Sequence, residues 1–274
     1  MAYGSILFND SPNYLSLANA TSNLVIGTAS FTVEAWVYLN NYNNTNMLLS
    51  KDNSLQDGGA GSWYCGINNG TGEMQFGQSG TDYFASTGPI VPLQQWCHLA
   101  YVRNGTTLTV WLNGSSSASI TLGTDLNGTG ELRIGRGRAA STNYFAGYIH
   151  SLRYVIGTAV YTASFTPATE PLPATANTQL LVGTTHEVAG IPDYSGNNYT
   201  LTRNGTMYST SSFNPFSYNP TRTLDSLNLS QAVQEDFVNF IRPNASKTLY
   251  ISASDALIDK TVTNPEQNYQ EVYF

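Results

Sequence analysis

The chain has 274 residues, a formal net charge of −7, a sequence pI near 4.8, and only 11% charged residues against 41% hydrophobic. That length suits one large all-β domain with an appendage, since such domains run to roughly 200–250 residues, and the acidic balance excludes a nucleic-acid partner, whose phosphates need clustered Lys and Arg. No apolar run approaches membrane length and MAYGSILFNDSPNYLSL is interrupted by polar residues, so no membrane insertion and no signal segment are expected, and synthesis in a cytoplasm is.

Strand signals recur from the start to about residue 205, separated by Gly, Asn, Ser and Pro clusters, with no long helix among them. In SFTVEAWVYLNN, residues 30–41, Phe31, Val33, Ala35, Val37 and Leu39 share one face of an extended chain, and Thr32, Glu34, Trp36 and Tyr38 the other. Cys65 in SWYCGI and Cys97 in QWCHLAY are too few for a disulfide framework or a zinc site and read as buried free thiols. In WCHLAYVRNGTTLTVWLNGSSSASITL, residues 96–122, Asn104-Gly105 and Asn113-Gly114 place tight turns between alternating runs, which predicts a three-stranded antiparallel meander. Glu73 and Glu131 each follow a glycine at the expected start of a strand. Many short alternating strands with nearly uncharged cores predict two packed antiparallel sheets in a jelly-roll sandwich over residues 1–213.

The character changes from about Arg222. Residues 226–243 carry Leu229, Val233, Phe237, Phe240 and Ile241 at spacings near three and four and end before Pro243, which predicts one short helix, followed by a strand in KTLYISAS and a polar tail. Residues 222–274 read either as a small α+β or extended subdomain on the sandwich or as an attachment and assembly arm, since so short a segment buries little by itself.

The ordered blocks SILFNDSPNYLSL, GTASFTVEAWVYL, GPIVPLQQWCHLAYVRNGTTLTVWLNG, GELRIGRGR, NYFAGYIHSLRYVIGTAVYTASFTP and DYSGNNYTLTRNGT, over residues 3 to about 210, resemble a laminin G-like domain of the concanavalin A-like lectin/glucanase superfamily. The resemblance implies two curved sheets with a face that often binds carbohydrate. Gly157-Thr158-Ala159-Val160-Tyr161 followed by Phe165-Thr166-Pro167 is similar to the form found in structural proteins of bacteriophages, marine ones especially. That likeness implies a virion-surface protein, a capsid decoration or a tail or fibre appendage, with other virion proteins as partners and a homo-oligomeric state such as a trimer.

Glycoside hydrolysis of the usual kind needs two nearby carboxylates, yet the neighbours of Glu34 on its face are Thr32 and Trp36. A structural role for Glu34 is therefore expected, with hydrogen bonds from a neighbouring strand or loop and Arg153 as one donor, and no enzyme activity is expected. Adjacent Cys97 and His98 point to opposite faces and make no dyad, and His150 and His186 read as sheet and loop histidines. The resemblance implies an optional calcium ion at a rim loop, for which Asp52, Asp57, Asp82 and Asp125 lie in stretches rich in oxygen donors, where each also serves as a turn residue. For a host surface glycan, Trp63, Tyr83, Asn143 and Tyr144 supply aromatic faces and amides in or beside loops, though a Tyr-rich surface serves protein contacts equally.

Overall fold

The computed structural model describes residues 4–9, 12–17, 24–51, 61–84, 87–137, 143–183, 191–210 and 213–216. All fall in the first of the chain's two units, Met1–Phe216. The expected helix with Leu229, Val233, Phe237, Phe240 and Ile241 lies outside the described residues, as do Asp52, Asp57 and His186.

The strands in chain order are β1 Ser5–Asn9, β2 Tyr14–Leu17, β3 Phe31–Leu39, β4 Asn46–Lys51, β5 Trp63–Ile67, β6 Met74–Gln78, β7 Thr81–Tyr83 and β8 Trp96–Asn104. They continue as β9 Thr107–Leu112, β10 Ser115–Thr121, β11 Leu132–Ile134, β12 Ala146–Ile156, β13 Thr178–Val182, β14 Thr202–Asn204 and β15 Tyr208–Thr210. The larger sheet runs β10-β9-β8-β3-β12-β1-β15, with β13 also on β12, and the smaller runs β14-β2-β11-β4-β5-β6-β7. Every strand pair is antiparallel, which makes the two-sheet jelly-roll sandwich the sequence predicts.

Alternation decides what lies between the sheets. Phe31, Val33, Ala35, Val37 and Leu39 from β3, Leu99 and Tyr101 from β8, and Trp63, Cys65 and Ile67 from β5 all enter one buried core. Phe31, Trp63 and Phe76 stack there at centroid distances of 6.0–6.4 Å. Cys65 and Cys97 are buried free thiols.

The meander forms, with one shift. Asn104 still pairs with Thr107, so the two-residue turn is Gly105-Thr106, with Gly105 alone at positive φ (60°), as a II′ turn requires. The second turn falls as expected on Asn113-Gly114, at φ 50° and 79°.

Candidate functional site

Glu34 stands on the side of β3 away from the core, yet it is fully buried. The cover is the segment following β12. Thr32 Oγ1 donates to the Thr158 carbonyl and accepts from Val160 N–H, and Phe165 N–H bonds the Gly114 carbonyl, so residues 157–167 lie as a strap across the outer face of the larger sheet. Ala100, Val102 and Trp111 form a second apolar cluster with Ala159, Tyr161 and Phe165 beneath it. The Tyr161 and Phe165 rings stack at 3.5 Å, both edge-on to His98.

Inside this enclosure both Glu34 oxygens are occupied. Oε1 accepts from Arg153 Nε at 2.8 Å and from a terminal guanidinium nitrogen at 2.6 Å. Oε2 accepts from the Tyr161 hydroxyl at 2.7 Å and lies 3.1 Å from His98 Nε2. Burial pushes the Glu34 carboxyl up, but the His98 hydrogen bond and the Arg153 charge outweigh it, and the net shift is downward. Burial, and after it the same carboxylate, hold the Tyr161 hydroxyl well above its usual range. Arg153 spends a further nitrogen on the Pro173 carbonyl, at 2.8 Å.

Arg153 reaches Glu34 because β12 is bulged between His150 and Arg153, with Ser151 at φ 50°. In a regular strand, residues three apart face opposite ways, whereas an extra residue lets both project to the same side of the sheet. His150 is buried beside Trp36 in the β3 register, and neither ring nitrogen has a partner among the described residues. Phe216 lies edge-on over it at 4.9 Å and over Trp36 at 5.7 Å. Phe213 fills the neighbouring hollow among Tyr38, Trp96 and Tyr148, and its carbonyl accepts from the Ser5 hydroxyl.

The outer face of the smaller sheet is built differently. Register aligns Ser16, Arg133, Ser50, Tyr64, Gly77 and Asp82 across β2, β11, β4, β5, β6 and β7. The Tyr64 ring lies against Gly77, where an added Cβ would meet it at 1.9 Å, and its hydroxyl donates to Asp82 Oδ1 at 2.5 Å. Tyr14 and Tyr144 alternate with the core residues Leu15 and Phe145, so both rings stand on this outer side. Arg136 rests over both, with Cζ 4.7 Å from the Tyr14 centroid and 5.1 Å from that of Tyr144.

The residues singled out in sequence do not come together as one site. Trp63, expected beside a loop, is a core residue at 1% exposure, because it alternates in phase with Cys65 and Ile67, so its indole presents no face to a surface ligand. Tyr83 pairs with Phe76 and packs half-buried against the margin of the core. Tyr144 is buried beneath Arg136, and Asn143, half-buried, accepts from Gly137 N–H through its carbonyl at 2.8 Å. Of the acids considered for calcium, Asp82 holds Tyr64, and exposed Asp125 accepts from Asn127 at 3.1 Å. Among the described residues no three His, Cys, Asp or Glu side chains gather as a metal site. The cation beside the Asp125 loop is a protein one. Buried Arg103 donates to the carbonyls of Gly27, Ala29 and Thr124. Arg136 was not singled out in sequence; its only local signal is GRGR, and its partner Tyr14 is far away in the chain.

The two antiparallel sheets pack as a sandwich, and the strap of residues 157–167 covers part of the outer face of the larger one. Residues 9–158, more than half of the chain, match the laminin G family model described as "Concanavalin A-like lectin/glucanases superfamily", and the chain belongs to that superfamily. No curated protein matches the sequence. Among solved structures it is similar to a candidate carbohydrate-binding protein from Bacteroides ovatus, with TM-score 0.50 and 16% identity, over 76% of this chain and 62% of that one. It is also similar to a heptameric SAP-like pentraxin from Limulus polyphemus, with TM-score 0.50 and 14% identity, over 76% of this chain and 94% of that one. At these identities the likeness is one of fold, and this chain spans less than two thirds of the Bacteroides protein.

Proposed function

We propose that this protein is a non-enzymatic, lectin-like module that binds glycans, with the sandwich as its recognition part. The observation that carries the reading is the enclosure of Glu34. Glu34, the acid weighed in sequence for hydrolysis, is buried, ionised and fully engaged by Arg153, His98 and Tyr161. A group so engaged has no free oxygen for a substrate or a water, so Glu34 is not available as the acid or base of a hydrolase. The carbohydrate-binding description of the Bacteroides protein supports the same kind of role.

The test is a broad glycan array with the purified protein, with and without calcium, beside a hydrolysis assay on every glycan retained. Retention without release of reducing sugar is expected; hydrolysis of any retained glycan overturns the non-enzymatic reading.

A second, finer reading is favoured by the block Gly157–Tyr161 with Phe165-Thr166-Pro167: display on a bacteriophage virion, as a capsid decoration or a tail or fibre appendage, as a homo-oligomer held by residues 222–274. Immunogold labelling of purified particles tests it, and absence of label from heads and tails alike overturns it.

A further inference from the structure

We infer that Arg136, together with Tyr14 and Tyr144, recognises the carboxylate of an acidic sugar, a hexuronic or a sialic acid carried on a glycan. The inference rests on the glycan-binding reading above and names the class of sugar.

Arg136 is held by backbone pairing on both sides. It is bridged to Tyr144, Gly137 N–H bonds Asn143 O at 2.8 Å, and Phe145 N–H bonds Gly135 O at 2.9 Å. Its guanidinium rests over the two tyrosine rings on the outer side of the smaller sheet. Among the described residues no carboxylate answers its charge, which rests on the two aromatic faces alone. The buried Nε has no acceptor among these residues, and the two terminal nitrogens are not among the buried unpartnered atoms.

The other described cations are placed differently. Arg153 has Glu34, Arg133 has Glu131, Arg103 has three carbonyls and Lys51 has the Gly130 carbonyl. Arg203 is exposed to water on an edge strand. The terminal nitrogens of Arg136, which water can satisfy, keep donors that an incoming carboxylate takes in place of that water. The planar guanidinium fork matches the two oxygens of a carboxylate.

The aromatic surround narrows the ligand further. A sugar ring bearing a carboxylate offers an apolar patch beside a planar anion, which is what half-buried Tyr14 beside Arg136 accepts. A highly sulfated polymer is a poorer fit, because it requires clustered cations, and this chain carries a net charge of −7.

The experiment measures binding of the intact protein to trigalacturonate and to sialyllactose, each beside its methyl ester, with a neutral glycan array as the reference. Binding to at least one acid is expected, and which one distinguishes the two sources. Esterification and Arg136→Gln should each weaken it roughly tenfold or more, the size expected for a hydrogen bond between charged partners, while Arg136→Lys recovers part. Near-ultraviolet circular dichroism checks that the variants fold; if Arg136→Gln does not, the esterification arm decides. Binding that survives esterification, or that is confined to neutral glycans, overturns this inference and leaves the lectin-like reading standing. Retention of no glycan at all overturns both.

Discussion

At Glu34 the burial of a charge is offset only because each oxygen has its donors in place. Removing one partner of such a buried pair costs about 3–5 kcal/mol, since the other charge is left alone. Glu34→Gln is therefore expected to lower the urea midpoint strongly, and Arg153→Met likewise, while the pair changed together should lose less than the sum. His150 acts through pH. Burial drives its pKa from 6.5 down to about 3, so between those values the unfolded chain takes up a proton that the folded one refuses. Stability contributed by neutral His150 is complete above pH 6.5 and falls as the pH drops towards 3. Glu34, whose pKa is also lowered, adds a loss that begins below its ordinary 4.5. Unfolding of His150→Phe followed from pH 7 to 4 should show a flatter decline than wild type above pH 4.5, with the Glu34 contribution remaining below it.

At the scale of elements, the strap 157–167 turns an outer sheet face into an interior. Gly114 is its closest point of contact, because an added Cβ would lie 1.8 Å from the Phe165 carbonyl oxygen. Gly105 shares the positive φ, but nothing lies within 4 Å of such a Cβ. Gly105→Ala is expected to cost roughly 1 kcal/mol for its backbone alone. Gly114→Ala should cost clearly more, and the difference, read from thermal melts of both variants, measures how tightly the strap is held. Strands and their faces were legible from period-two alternation, as β3 and the meander show. Less legible was which outer faces are covered. Nothing local in SWYCGI tells that Trp63 rather than Tyr64 looks inward, apart from its phase with Cys65 and Ile67. The pairing of Glu34 with Arg153 was anticipated, but the bulge at Ser151 that makes it geometrically possible leaves no pattern in a strand read by alternation. Arg136 and Tyr14 meet only through the register of distant strands, so no window of sequence contains their site.

Over the whole sandwich, the rim near Asp125 already has an internal cation. Arg103 ties the carbonyls of Gly27 and Ala29 to that of Thr124, doing for these loops what a divalent ion does elsewhere. Melting in calcium and in chelator should therefore differ by no more than about 2 °C, a shift that in a domain of this size corresponds to less than roughly 1 kcal/mol. A larger rise with calcium would show that a metal holds loops which Arg103 does not. The two aromatic plugs carry another consequence. Phe213 and Phe216 fill hollows on the outer face of the larger sheet, the side of the sandwich opposite Arg136. The two outer faces of the sandwich are thus chemically unlike, one stopped with aromatic rings and the other bearing a guanidinium.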